Sequence, residues 1–249
     1  LGDTNLTLDN AFVLSSGKAI EVLGQAILNA DITMAGGTLL FDNAVLSDST
    51  AALSLGLTPT LAEDGKVNIA VSDLDALRAG GTFVLVSGDW SAFSAEDFTL
   101  TGASYAADLA TFAINGTTLS MTLVAHDVWA GTAAEHSWNT STFGPHAALG
   151  SSTMAIFDNS AEHSDISLTE SVQVGDLRFD NNKAYSITAT QPGATITGNN
   201  FTKMGSGEVI IDADVNLSGD VNLTNGNVTF AGTTQVGGNV PQTAGTVTL

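Results

Sequence analysis

Two aspartates with one residue between them form the arrangement in this sequence that is closest to a hydrolytic site. Asp212 and Asp214 follow the apolar stretch 209–211, and paired carboxylates divide the general acid and general base roles when one is protonated and the other ionised. On one strand they would share a face about 6.5–7 Å apart, as in inverting glycosidases. The same alternation points Ala213 inward and leaves both aspartates in solvent. We therefore interpret the pair first as solvated positions and only second as a catalytic site.

Three further residues are weaker catalytic candidates. Asp158 and His163 belong to the polar run 158–165, which brings serine, histidine and carboxylates together in sequence. Because the members of a catalytic triad normally come from separate elements, this run predicts a loop between two strands. Asp64 precedes Gly65 and is typical of a turn. The chain also lacks the Asp-Thr-Gly or Asp-Ser-Gly triplet expected around an aspartic peptidase carboxylate. A hydrolase that uses paired carboxylates, either a peptidase or a glycosidase, is therefore kept only as the alternative to a non-catalytic protein.

Oxygen-rich segments raise the question of a metal. Residues 212–218 imitate the start of a calcium loop, but Leu217 stands where the turn glycine is needed and Leu223 where the glutamate is needed. Calcium held by acidic turns is therefore only a secondary prediction. The four histidines lack the spacing of three to five residues that paired zinc ligands show, and the chain has no cysteine. We predict no other metal and no other cofactor.

Two tryptophans are candidates for binding sugars. The rings of Trp129 and Trp138 lie in a segment that also contains histidines and a proline. Our first interpretation is that they cover the last exposed layer of a repetitive core, and the second is that they line a ligand groove.

The charge excludes some partners. The 249 residues include 26 acidic side chains and 6 Lys and Arg, which gives a formal charge of −20. Such a chain repels nucleic acid and anionic lipid. The hydrophobic fraction of 43% is ample for a core, and no run of about 18 apolar residues predicts membrane insertion. Since the sequence starts at Leu1 without a leader, we expect a mature piece of a longer exported protein.

The elements that must position these residues are predicted to be short strands. Apolar residues alternate with polar ones in runs of three to six, as in 67–71 and 119–123, and the runs end at glycine, asparagine or aspartate. Helical signals are confined to residues 72–80 and to a capped turn at 94–97. The fold class is therefore all-β.

Repeats indicate how the strands are arranged. Asp-Val-Asn-Leu occurs at 214–217 and again at 220–223, and Phe-Asp-Asn at 157–159 recurs 22 residues later. A recurrence near twenty residues favours a β-solenoid of parallel β-helix type, with rungs that bury their inward side chains on one another. We read the two Asp-Val-Asn-Leu segments as consecutive rungs. The solenoid prediction allows a β-sandwich-like segment within it, and two β-sandwich domains are the competing fold. A change in composition predicts β-rich modules at 1–125 and 126–249.

The second half resembles the passenger regions of bacterial autotransporter-like surface proteins, especially those with autotransporter-associated β-strand repeats. Lys203, Gly205 and Gly207 are similar to the Lys-x-Gly-x-Gly opener of a rung in that family. Further segments share the resemblance: 129–132 with 138–139, 157–160, 174–181 and, as the end of a preceding module, 79–88 and 97–102.

The resemblance implies a secreted or outer-surface bacterial β-solenoid that serves in adhesion or display. Its partners would be extracellular glycoproteins or glycans, which repeated Asn, Asp and Thr side chains would contact weakly and many times. The alternative is the secreted hydrolase of glycoproteins described above.

Overall fold

The regular secondary structure of the chain consists almost entirely of short strands. A computed structural model describes residues 1–63, 65–132 and 134–249. The chain divides into two compact units, Leu1–Ala125 and His126–Leu249, which are described separately below. The strands stack in parallel as a β-solenoid, which confirms the predicted fold class. No helix of the described residues is long and apolar enough to cross a membrane.

The described residues of unit 1 form thirteen strands and four short helical segments. Its strands are β1 (Thr4–Thr7), β2 (Phe12–Ser15), β3 (Ala19–Val22), β4 (Ala26–Asn29), β5 (Ile32–Ala35), β6 (Thr38–Phe41), β7 (Leu53–Leu55), β8 (Thr60–Leu61), β9 (Val67–Val71), β10 (Gly81–Ser87), β11 (Phe98–Leu100), β12 (Ala110–Asn115) and β13 (Thr118–Leu123). Three single 3-10 turns span Asn43–Val45, Asp75–Leu77 and Ala95–Asp97, and the helix α1 spans Ala106–Leu109.

The first three rungs of unit 1 each give one strand to each of three sheets, and the next rung gives β10 and β11 to the first and third. The sheets have the orders β1-β4-β7-β10-β13-β12, β2-β5-β8 and β3-β6-β9-β11. All pairings are parallel except those of β13 with β10 and β12. These antiparallel strands extend the first sheet and do not build a second facing one. The β-sandwich alternative is therefore wrong, because sandwich sheets are antiparallel throughout.

The two helical predictions have different outcomes. Ser94 caps the 3-10 turn Ala95–Asp97 with a capping box, as predicted. Ser72 does not cap a helix, because its hydroxyl oxygen accepts from Asn43 N of the preceding rung at 3.1 Å and its backbone N–H donates to Phe41 O at 2.8 Å. The helical turn begins only at Asp75. Pairing with the neighbouring rung therefore outweighs the local capping signal.

In unit 2, seventeen strands are formed by residues 126–132 and 134–249. They are β14 (His126–Val128), β15 (Ser137–Trp138), β16 (Thr142–Phe143), β17 (His146–Ala147), β18 (Met154–Phe157), β19 (Asp165–Leu168), β20 (Val172–Gln173), β21 (Leu177–Asp180), β22 (Tyr185–Ala189), β23 (Thr195–Gly198), β24 (Phe201–Met204), β25 (Glu208–Asp212), β26 (Asp214–Leu217), β27 (Val221–Leu223), β28 (Asn227–Phe230), β29 (Thr234–Val236) and β30 (Thr246–Thr248).

Three sheets again form the sides of the solenoid in unit 2, and their pairings are parallel except those of β16 with β15 and β17. Their orders are β14-β18-β21-β24-β27, β17-β16-β15-β19-β22-β25-β28-β30 and β20-β23-β26-β29. Inward side chains of all three sheets meet in one hydrophobic cluster. Within it, the rings of Phe157 and Phe179 stack 4.3 Å apart, and Phe179 stacks in turn on Phe201 at 5.4 Å. The recurring Phe-Asp-Asn triplet is therefore a strand end whose phenylalanine joins an internal stack.

The two Asp-Val-Asn-Leu segments are not stacked rungs, and that prediction is wrong. The first forms β26, and the second supplies β27 on a different sheet. Asp214 instead pairs with Thr195 of β23, and Val221 pairs with Phe201 of β24. The six-residue repeat is the length of one side of the solenoid, and three sides make a rung of roughly twenty residues.

Candidate functional site

Side-chain oxygens form a ladder along one corner of unit 2, where the chain passes from the third sheet to the first. The backbone N–H groups of Asn200, Asp220 and Asn239 each donate to a side-chain Oδ1 one rung earlier, at 2.9, 3.0 and 2.7 Å. The acceptors are Asp176, Asn200 and Asp220. At a corner the backbone leaves the sheet, so its N–H groups need another acceptor. These two carboxylates therefore serve the fold.

The other two corners use the same device. Asn182 N donates to Asn159 Oδ1 at 2.7 Å, and Ser206 N donates to Asn182 Oδ1 at 3.0 Å. At the third corner, Thr195 N donates to Ser171 Oγ at 3.0 Å and Thr233 N donates to Asp214 Oδ1 at 2.9 Å. The sequence signal is a polar residue with a side-chain oxygen just before or after an inward apolar run.

Lys203 lies inside the solenoid, where the family-like motif 203–207 begins. It pairs in register with Phe179 and Leu223, so its side chain points inward, and it is fully buried. Its Nζ donates to the carbonyl oxygens of Met204 and Gly205 at 2.5 and 2.7 Å. Burial lowers the pKa of Lys203 to about 8, against an opposing effect of Asp180. The lysine therefore supplies hydrogen-bond donors to the carbonyl groups of the corner at 204–205.

The two glycines of the motif are needed for the approach of neighbouring rungs. A Cβ on Gly205 would overlap the carbonyl oxygen of Asn181, and one on Gly207 would overlap that of Lys183. Gly205 also has φ +73°, a conformation that other residues rarely adopt. The motif thus has a packing explanation.

Asp212 and Asp214 lie on different strands and different sheets. The chain bends at the buried Ala213, so the single strand that would place both carboxylates on one face does not form. Asp212 is exposed, and Asp214 is half-buried and accepts from Thr233. Both residues line an open depression of about 260 Å³ beneath the loop 190–193.

Residues 158–164 of the polar run form a loop between β18 and β19, as predicted, and Asp165 begins β19. Asp158 Oδ1 accepts from the hydroxyl of Ser160 at 2.5 Å, and its carbonyl accepts from the buried Tyr185 hydroxyl at 2.7 Å. The Nδ1 of His163 lies 3.4 Å from Asp165 Oδ1, at an exposed position. The serine hydroxyl thus donates to Asp158, and the imidazole pairs with a different carboxylate. Asp64, the remaining carboxylate candidate, lies outside the described residues.

Trp129 and Trp138 pack at the start of the unit 2 core. Their exposed fractions are 0% and 1%, and both rings meet Phe143 edge-on with centroids 5.1 and 5.4 Å apart. Trp129 Nε1 donates to His163 O at 2.9 Å. Since neither indole presents a free face, neither can stack on a sugar ring. Their position favours the capping interpretation.

Acidic and histidine side chains do not form a metal-binding cluster in the ranges 1–63, 65–132 and 134–249. No three His, Asp or Glu side chains there come close enough together to hold a metal ion. Calcium binding at acidic turns stays a prediction that the geometry of these residues does not strengthen.

One outward face of unit 2 is almost free of charge. We call it the neutral face: the outward side of the sheet β20-β23-β26-β29. Its central row is in register across the four strands and consists of Gln173, Thr197, Asn216 and Gln235. The flanking positions two residues earlier are Ser171, Thr195, Asp214 and Thr233, and those two residues later are Gly175, Asn199, Ser218 and Gly237.

The side chains of the central row are available to a ligand. Gln173, Asn216 and Gln235 are exposed, and Thr197 is half-exposed. None of the four side chains makes a hydrogen bond to another described residue. The one acid on the face, Asp214, already accepts from Thr233. The arrangement offers a row of donors and acceptors without charge.

Sequence reasoning did not single out the neutral face. Its signal was present: Gln173, Thr197 and Asn216 each follow an inward Val or Ile. What was missing was the register, because rungs of unequal length hide the alignment. Comparisons with protein-family models, curated proteins and solved structures found no match to this chain.

Proposed function

We propose that the chain is a β-repeat module of a bacterial protein, secreted or displayed at the outer surface, with a structural and adhesive role toward extracellular glycans or glycoproteins. The observation that carries this proposal is the register of outward polar side chains on successive rungs, as in the row from Gln173 to Gln235. Each side chain binds weakly by itself. Repetition at a fixed spacing multiplies weak contacts with a repetitive partner.

The roles of the polar side chains support a scaffold. Asp176, Asp214 and Asp220 accept backbone N–H groups of the next rung, and Lys203 satisfies carbonyls inside the core. The carboxylates of the three aspartates form hydrogen bonds that join one rung to the next. The resemblance of the motif 203–207 to autotransporter-like repeats agrees with a scaffold role. Membership of that family stays a prediction.

The charge of the chain limits the range of partners it can bind. A formal charge of −20 disfavours nucleic acid, anionic lipid and sialylated or sulfated glycans. Among glycans, the neutral ones, free or on glycoproteins, remain compatible with the surface.

Adsorption to immobilised neutral glycans and glycoproteins tests the proposal. We expect the purified chain to be retained on asialo-glycoprotein and on neutral polysaccharide at about 150 mM salt, and much less on the deglycosylated protein. Equal retention on glycosylated and deglycosylated surfaces, or none on any, would contradict an adhesive role.

A glycoprotein hydrolase is the second candidate, and the depression lined by Asp212 and Asp214 is the observation that favours it. The test is turnover of casein and mucin across pH by the wild type, Asp212→Asn and Asp214→Asn. Turnover by pure protein that either replacement abolishes would establish the hydrolase. We expect none.

A further inference from the structure

We propose that the neutral face binds one strand of an extended, uncharged polysaccharide, which runs across β20, β23, β26 and β29 along the row from Gln173 to Gln235. This inference rests on the proposed adhesive function and names its site and ligand class.

The distribution of charge selects this face. The chain has 26 acidic residues, and the outward side of the neighbouring sheet carries exposed Asp165, Glu208 and Asp212. The neutral face has Asp214 alone, and that carboxylate is turned to the backbone of Thr233 at 2.9 Å. A neutral ligand gains nothing from carboxylates, and a cation would be drawn to the acidic side. The face is therefore complementary to a partner without charge.

The hydrogen-bonding groups of the row match hydroxyl groups. An amide offers two N–H donors and a carbonyl acceptor, and a threonine hydroxyl both donates and accepts. Gln173, Asn216 and Gln235 are exposed, and none of these side chains has a partner among the residues the structure describes. Sugar hydroxyls need both a donor and an acceptor. A row of amides can provide both without a desolvated charge.

The spacing of the row fits a polymer rather than a single sugar. Adjacent parallel strands lie about 4.8 Å apart, and the register is unbroken from Gln173 to Thr197, Asn216 and Gln235. The row therefore extends over roughly 14 Å, three strand spacings. One sugar ring of an extended β-linked chain advances by about one strand spacing. Successive rings can thus meet successive rungs.

A protein partner fits the face less well. Sheet faces that pack on protein bury apolar side chains, whereas the central and flanking rows hold polar residues and glycine. A second copy of the chain would also bring its own acidic surface close. Since the face has no aromatic ring to stack on a sugar, we expect weak affinity that multiple rungs reinforce.

Adsorption isotherms on insoluble polysaccharides test the inference. The probes are cellulose and chitin, which are extended and uncharged, with starch granules as the coiled comparison. The variant Asn216→Asp/Gln235→Glu keeps side-chain size and replaces amide donors by carboxylates. The matched control is Asn227→Asp, because Asn227 is an exposed amide on the neighbouring sheet. Gln173→Glu, at the far end of the row, is a second variant in case the double variant loses its fold by circular dichroism.

We expect the wild type and Asn227→Asp to adsorb equally to cellulose or chitin and better than to starch. The double variant should adsorb at least fivefold less, and Gln173→Glu less by a smaller factor. Wild-type adsorption by the folded double variant and by Gln173→Glu would overturn the site but leave the adhesive function intact. If the wild type adsorbs to other neutral glycans but to neither cellulose nor chitin, the proposed ligand class, an extended uncharged polysaccharide, is wrong and the adhesive function still stands. Loss of a wild-type dimer in the variants would make the face a contact between copies and would also overturn the inference.

Discussion

Lys203 shows how a charged residue is accommodated within a solenoid core. Its ammonium group donates to Met204 and Gly205 carbonyls, so the hydrogen bonds offset part of the desolvation cost. Burial still lowers its pKa, to about 8. Tyr185, buried on the same unit, has its pKa raised by desolvation and by Asp158.

These two pKa shifts predict a stability maximum at alkaline pH. Between pH 8 and 10.5 the unfolded Lys203 binds more protons than the folded one, so the free energy of unfolding rises with pH in that window. At about 1.4 kcal/mol per pKa unit, the shift from 10.5 to about 8 corresponds to a rise of about 3 kcal/mol. Above pH 10 Tyr185 ionises only when unfolded, and stability falls. Urea unfolding from pH 7 to 11 measures both effects. In Lys203→Met the rise should vanish, and a rise that persists would assign it to another group.

Gly205 and Gly193 allow backbone strain to be separated from crowding. Their φ angles are +73° and +75°, but a Cβ on Gly193 has open space whereas one on Gly205 meets Asn181 O. Gly193→Ala should cost about 1 kcal/mol from the left-handed conformation alone. Gly205→Ala should cost a further 1–3 kcal/mol or so from overpacking. Urea unfolding measures both, and equal losses would contradict the packing explanation of the motif.

At the scale of elements, the corner ladder explains why aspartate and asparagine recur before inward apolar residues. Asn200 occupies its middle: its Nδ2 donates to Asp176 Oδ1 at 3.1 Å, and its Oδ1 accepts from Asp220 N at 3.0 Å. An amide is the side chain that can do both.

Asn200→Asp should therefore destabilise unit 2 at neutral pH. The change removes the donor to Asp176 and places three carboxylates on consecutive rungs, so we expect a loss of about 1–3 kcal/mol at pH 7. Protonation of the added carboxylate should return part of this loss near pH 4. The control Asn216→Asp adds the same charge at an exposed position and should change stability by less than about 0.5 kcal/mol. Thermal unfolding at pH 7 and pH 4 measures the loss of stability. A loss that is the same at both pH values would contradict the role of Asn200 in the ladder.

The sequence predicts elements better than it predicts their alignment. Period-two alternation at 67–71 and 119–123 identifies β9 and β13 because that pattern reflects one buried face. Stacking partners are not encoded locally: rungs differ in length, so the repeat at 214–217 and 220–223 misleads about which strands stack. The buried indole of Trp129 and the bend at Ala213 are likewise set by packing between distant residues.

At the scale of the whole molecule, most of the negative charge is not neutralised by neighbouring cations. Among the described residues, Lys66 is 3.5 Å from Asp97 and Arg178 is 3.8 Å from Asp180, but 6 Lys and Arg side chains are too few to stand beside each of the 26 acidic side chains of the sequence. Hydrogen bonds from Ser94, and to a smaller extent Lys66, lower the pKa of Asp97. The stability it contributes is present above its ordinary pKa and is lost only in strong acid. Most carboxylates therefore repel one another across the surface at neutral pH.

This repulsion predicts that simple salt stabilises the protein. Charges crowd more closely in the folded chain than in the unfolded one, and the screening length falls from about 30 Å at 0.01 M salt to about 8 Å at 0.15 M. We expect Tm to rise by about 2–5 °C over that range, which corresponds to about 1 kcal/mol for a chain of this size. Sodium and potassium chloride should act equally, and chelation should leave Tm unchanged at fixed ionic strength. A Tm that ignores monovalent salt but rises with micromolar calcium would replace general screening by a specific calcium site, and the acidic turns would then need to be examined as ligands.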